Sequence, residues 1–216
     1  MRARRLHLAV LVALACAAGA TVAQQPPPAV ALAEAPPEWS FAVSAYGYFV
    51  PEEDYFTLPI VTADRGGLHL EGRYNYEELG AGSVFFGWTF SFGDEVALDL
   101  TPILGGVFGD LSGIAPGLEL DLGYKGLSFY FEGEYVHDLN DEEGSFLYGW
   151  SELSYAPADW VRLGLVGQRT RVVDTGLDIQ RGLLLGFSLR GFEVAGYFFN
   201  PGDDDHFEVV SLSLEF

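Results

Sequence analysis

The chain has 216 residues, 31 acidic against 11 basic side chains, a formal net charge of -20 and a mean hydropathy of +0.18. That length suits one all-β domain and is short for two. An acidic disordered chain would be apolar-poor, and no basic stripe is present to neutralise phosphates, so disorder and a nucleic-acid partner are both excluded. Aromatics at 15% and 27 glycines, against one Met and one Cys, favour strands and tight turns over helices.

Residues 1–23 read as a secretory signal peptide. Arg2, Arg4 and Arg5 are followed by an apolar stretch from Leu6 to Ala18, too short to span a bilayer, and then by small residues. Cleavage after Ala23 is preferred. It would remove three basic residues and leave 31 acidic against 8 basic. Cys16 lies in this leader, so the exported chain has no cysteine to form a disulfide. Residues 24–38, with Gln24-Gln25-Pro26-Pro27-Pro28 and Pro36-Pro37, read as a Pro-rich, extended linker.

From Trp39 onward almost every segment keeps a two-residue period, and no run of about twenty apolar residues exists to form a membrane helix. The pattern predicts strands at 39–50, 56–62, 67–77, 82–92, 95–104, 113–123, 127–137, 145–155, 160–170, 178–189, 191–199 and 206–216. The second of these is the weakest, because 57–76 also reads as one bent strand. Short connections such as Tyr124-Lys125-Gly126 and Leu189-Arg190-Gly191 alternate with longer acidic ones, including Pro51 to Asp54, Gly105 to Gly113, Asp138 to Gly144 and Asn200 to Asp205.

Within the strands the charges share one face. Leu68, Leu70, Tyr74 and Tyr76 oppose His69, Glu71, Arg73 and Asn75; Leu118, Leu120 and Leu122 oppose Glu119 and Asp121; Phe129, Phe131 and Tyr135 oppose Glu132 and Glu134. A soluble periplasmic β-sandwich or binding barrel with its apolar faces turned inward would alternate in the same way. In the last strand Val210, Leu212, Leu214 and Phe216 alternate with Val209, Ser211, Ser213 and Glu215, and the chain stops on an aromatic.

That last strand resembles the closing strand of bacterial outer-membrane β-barrels, and the resemblance extends over residues 39–216. It implies a closed antiparallel up-and-down transmembrane β-barrel of about twelve strands in the outer membrane of a Gram-negative bacterium. Lipids and lipopolysaccharide would surround it, and Phe216 would form part of the signal read by the barrel-assembly machinery. Strands in a bilayer must close on themselves, because lipid cannot satisfy an open edge. Trp39, Tyr48, Phe92, Tyr124, Tyr155, Trp160 and Phe199 are then expected at headgroup depth.

In such a barrel Asp99, Asp121, Glu132 and Glu152 would form a lumen belt, with Glu119 and Glu134 extending it and Glu71 joining from the third strand. Arg73 and Arg162 are the expected counter-ions. A crowd of carboxylates in an enclosed space needs protons, arginine partners or cations. The belt fits a structural polar network that plugs the barrel or a narrow cation-favouring diffusion channel for small cations. An outer-membrane enzyme acting on lipid or peptide is a third reading. Barrel phospholipases, deacylases and omptin-like proteases need a His beside Ser, Asp or Glu, and neither His137-Asp138 nor Asp205-His206 brings a nucleophile pattern. No metal-ligand spacing, P-loop or dinucleotide fingerprint is present, so no cofactor is expected.

Overall fold

The computed structural model describes residues 37–141, 144–172 and 178–216. The expected signal peptide, and all of the expected Pro-rich linker except Pro37 and Glu38, lie outside them. The strands are β1 (Ser40–Phe49), β2 (Phe56–Arg65), β3 (Leu68–Tyr74), β4 (Ala81–Trp88), β5 (Phe90–Phe92), β6 (Ala97–Gly109), β7 (Gly113–Tyr124), β8 (Leu127–Asp138), β9 (Phe146–Ala158), β10 (Val161–Val172), β11 (Asp178–Leu189), β12 (Phe192–Phe199) and β13 (Phe207–Glu215). Both β4 and β5 pair with β6, so they are two pieces of one stave interrupted at Thr89. Each stave pairs antiparallel with the staves before and after it in sequence, and β1 pairs with β13. The result is a closed twelve-stave antiparallel barrel.

Each expected strand has its counterpart, and β2 and β3 are separate strands joined at Gly66-Gly67. The tightest turns explain themselves locally. Lys125-Gly126 and Arg190-Gly191 hold both residues at positive φ (48° and 81°; 53° and 80°), the left-handed pair that a two-residue hairpin between right-twisted strands requires. These turns lie at the same end as both ends of the described barrel, where Phe41 and Phe216 exchange backbone N–H···O=C bonds of 2.9 Å each. The longer connections lie at the opposite end.

Two expectations about shape fail. Gly105 to Gly113 was expected as a loop, yet β6 runs on to Gly109. A Cβ at Gly105 would lie 2.4 Å from the Phe85 ring. This glycine therefore serves a close approach inside a strand rather than a turn. Tyr48 and Phe199 were expected at headgroup depth, but both point inward and are buried, at 7% and 0% exposure. Trp39, Phe92, Tyr124, Tyr155 and Trp160 do face outward.

The two faces of the wall differ sharply. Outward-facing side chains are large and apolar on strand after strand: Val84, Phe86 and Trp88; Leu163 and Leu165; Leu183, Leu185 and Phe187; Val210, Leu212 and Leu214. A soluble monomer rarely exposes a contiguous apolar patch beyond a few hundred Å², whereas a hydrocarbon surround leaves this band without cost. Inside, the loop-side half is packed. One cluster joins Tyr48, Leu58, Trp150, Val166, Leu184, Tyr197, Phe199, Phe207 and Val209, and another joins Phe85, Ile103, Val107, Leu111, Ala115 and Val136.

Candidate lumen site

The charged residues collect on the inward face beside this packing, with Glu132 opposite Trp150 and Glu134 opposite Tyr148 across the β8–β9 ladder. On β3, the inward parity of His69, Glu71 and Arg73 follows directly from the period of two. The chain then turns at Asn75, which is left-handed (φ 59°) and pinned on both sides: its Nδ2 donates to the Thr57 carbonyl and its Oδ1 accepts from the Gly80 N–H. That reversal breaks the alternation. Tyr76, expected outside with Leu68 and Leu70, instead folds over the lumen and donates its hydroxyl to Glu132 Oε1 at 3.0 Å.

Arg73 is the centre of the first node, and its side chain is fully buried. Its guanidinium grips Glu71 with two bonds, Nε to Oε1 at 2.8 Å and Nη2 to Oε2 at 2.9 Å. Across the barrel Nη1 reaches Glu132 Oε1 at 2.8 Å and Glu134 Oε2 at 3.2 Å. Glu119 and Glu77 lie at 3.8 and 3.9 Å. The guanidinium carbon is 4.3 Å from the ring centres of both Tyr76 and Phe85, within cation–π range. Gly105 makes room for Phe85, so the ring, the guanidinium and the glycine form one stack.

A second node surrounds Arg162 on β10. Nη1 donates to Glu152 Oε2 at 2.6 Å and Nη2 to Glu193 Oε1 at 2.8 Å. Trp150 Nε1 donates to Glu152, and Ser188 to Glu193. The Arg162 side chain is 23% exposed.

The residues of the expected belt divide between two arginine-centred nodes and a facing pair of aspartates. Cross-strand register puts Asp99 opposite Asp121, and Glu119 opposite Glu132 one step nearer the loops. Glu71, Glu119, Glu132 and Glu134 gather on Arg73; Glu152 joins Arg162; Asp99 and Asp121 face each other with neither arginine within ion-pairing distance. Sequence reasoning missed Glu77 and Glu193. Glu193 could have been found from its phase with Ala195 and Tyr197, which also point inward. Phe216 faces outward and stacks on Phe41, with ring centres 5.9 Å apart. His137 stacks on Tyr135, and His206 Nδ1 lies 3.1 Å from the Asp203 carbonyl.

Between the nodes lies a cup of about 290 Å³. Its floor and walls carry Ser44, Thr62, His69, Glu71, Glu119, Tyr130, Glu132, Glu152, Arg162, Glu193 and Ser213, and the rings of Tyr46, Tyr48, Tyr76, Tyr148 and Trp150 form its roof. A recess sharing Ser44, Glu193 and Ser213 continues from it to the short turn at Gly191. The roof spans the barrel: Tyr46 on β1 meets Trp150 on β9, ring centres 6.4 Å apart, and Tyr76 meets Tyr148 at 5.4 Å.

No protein-family model matches the sequence, and no curated protein does. Solved structures resemble it in fold. The KdgM porin superposes with a TM-score of 0.60 at 9% identity, covering 81% of this chain and 98% of that one. The KdgM porin in complex with disordered oligogalacturonate gives 0.61 at 10%, covering 81% and 99%. The NanC porin in a rhombohedral crystal form gives 0.59 at 11%, covering 81% and 98%. At such identities the likeness is one of architecture alone, that of a closed twelve-stave antiparallel β-barrel.

Proposed function

We propose that this chain is a non-enzymatic outer-membrane barrel of porin type, closed at rest by its own wall side chains, whose acidic cup favours small cations over anionic solutes. The observation that carries this reading is the aromatic roof above the cup. Tyr46–Trp150 is a contact between opposite walls, and Tyr76–Tyr148 one between the β3–β4 connection and the wall, so opening a path means moving rings that the barrel itself supplies. Below the roof, an acidic lining in a confined space raises the local cation concentration and repels anions. Oligogalacturonate, found in the KdgM complex, is a polyanion; a lumen with surplus carboxylates is built for the opposite sign of charge.

The setting belongs to the same proposal. The leader would be cleaved during export to the Gram-negative outer membrane, the barrel-assembly machinery would insert the barrel, and lipids and lipopolysaccharide would contact the apolar band. N-terminal sequencing of the membrane-extracted protein should then begin at Gln24.

Conductance across a planar bilayer in asymmetric KCl tests the central claim. Wild type should show little steady current. Tyr46→Ala combined with Trp150→Ala should open a pore whose reversal potential favours K⁺. A steady, anion-favouring conductance in wild type would overturn the reading. Cleavage of lipid or peptide by the purified protein would favour the enzyme instead.

A further inference from the structure

One wall of the cup has a geometry that its carboxylates alone do not explain. His69 and Glu71 project from β3 two residues apart on one face, and Glu119 faces them from β7. One ligand atom from each lies within 4.8 Å of the others. His69 Nε2 is 3.6 Å from Glu71 Oε2 and 3.8 Å from Glu119 Oε2. The imidazole side chain is 9% exposed, and this nitrogen is buried without a hydrogen-bond partner. A buried orphan nitrogen costs free energy unless something fills it. Its other nitrogen, Nδ1, is held 2.7 Å from Asp64 Oδ1, which fixes the ring so that Nε2 points at the two glutamates.

We propose that His69, Glu71 and Glu119 form a binding site for a divalent transition metal ion of the zinc or copper class. Bonds near 2.0–2.1 Å in a tetrahedral arrangement separate ligand atoms by roughly 3.3 Å, so the two distances from His69 Nε2 need only a small contraction, and the two glutamates, within 4.8 Å, close on the ion from either side. One imidazole with two carboxylates suits zinc, copper or nickel better than magnesium or calcium, which take oxygen ligands. Three protein ligands leave the remaining position facing the water of the cup. Asp64 then plays the outer carboxylate that orients a metal-bound histidine. Arg73 orients Glu71 in the same way, bonding both of its oxygens, including the Oε2 that faces His69 Nε2.

Charge points the same way. The Arg73 guanidinium is shared among Glu71, Glu77, Glu119, Glu132 and Glu134 and cannot neutralise them all. Glu77 Oε2 and Glu134 Oε1 are likewise buried without hydrogen-bond partners. A divalent ion beside Glu71 and Glu119 offsets part of that excess. The inference shares with the function proposed above only the water access of the cup, and holds whether or not ions pass through the barrel.

The test uses the full, untagged protein in detergent with copper(II) chloride as the probe. The chain contains four histidines, His7, His69, His137 and His206, and His7 falls within the leader. In a His137→Ala/His206→Ala variant, electron paramagnetic resonance should show one bound Cu²⁺ per barrel with splitting from a single nitrogen. Zinc chloride should displace it, and millimolar magnesium should not. Adding His69→Ala should remove the nitrogen splitting and weaken binding at least tenfold. Asp64→Asn should weaken it by about tenfold while keeping the splitting. Folding of each variant is read from its unboiled gel mobility. Absence of copper binding to the folded His137→Ala/His206→Ala barrel, or binding through oxygen alone, would overturn the site, and that readout leaves His69 intact. Neither result bears on whether the roof is closed to current, so the two proposals fail separately.

Discussion

The two arginine nodes make unequal use of the same chemistry. Arg162 faces two carboxylates, Glu152 and Glu193, each of which has a further donor from Trp150 or Ser188, and the group is partly wet. Arg73 faces five carboxylates, is wholly buried, and leaves two of their oxygens without a partner. The first is close to a satisfied structural pair. The second keeps an excess of negative charge at the centre of the barrel, where protons or cations must offset it. A molecule that needed only rigidity could have repeated the Arg162 arrangement, so the imbalance at Arg73 is where function is to be sought.

Removing the cation from the unbalanced node should have the largest effect. Arg73→Met strands its buried carboxylates and should destabilise the barrel by about 3–5 kcal/mol in urea titrations followed by gel mobility. The sharper form adds Glu132→Gln and Glu134→Gln to Arg73→Met. Partial recovery is expected if charge excess, rather than lost packing, dominates; no recovery would mean the two nodes differ in packing alone. Next comes Gly105→Ala, which pushes Phe85 against the guanidinium and should cost about 1–3 kcal/mol by the same titration. Arg162→Gln should cost less, about 1 kcal/mol, because water reaches that node. Smallest is Glu193→Gln, expected within about 0.5–1 kcal/mol of wild type, since Arg162 retains Glu152. Equal costs for Arg73→Met and Arg162→Gln would abolish the distinction between the nodes.

Much of the fold was legible because a period of two states which side chains share a face, and because Lys125-Gly126 and Arg190-Gly191 advertise their turns. The inward direction of Glu71, Arg73, Glu119 and Glu132 came from that phase. What phase could not supply is distance across the lumen. Nothing in the spacing of His69 and Glu119, fifty residues apart, says that β3 and β7 bring them to 3.8 Å. Phase also fails where the backbone leaves the extended region: left-handed Asn75 inverts it, so Tyr76 ended inside rather than outside. Gly105 misled for a different reason, since a glycine required by a neighbouring ring and a glycine required by a turn are the same letter. Tyr48 and Phe199 were misplaced because an aromatic near a strand end serves equally well as interface anchor or lumen filler, and only the far wall decides.

The pairing of β1 with β13 makes the seam of the barrel a contact between the earliest and latest strands, from Ala42 against Glu215 to Phe49 against Glu208. Until β13 is in place, β1 and β12 each present an unpaired row of backbone donors and acceptors, which lipid cannot satisfy and other strands would readily capture. A partly threaded chain therefore has no stable halfway home in the bilayer. Insertion and sealing have to be a single event, or a borrowed strand has to guard the gap until the chain's own arrives.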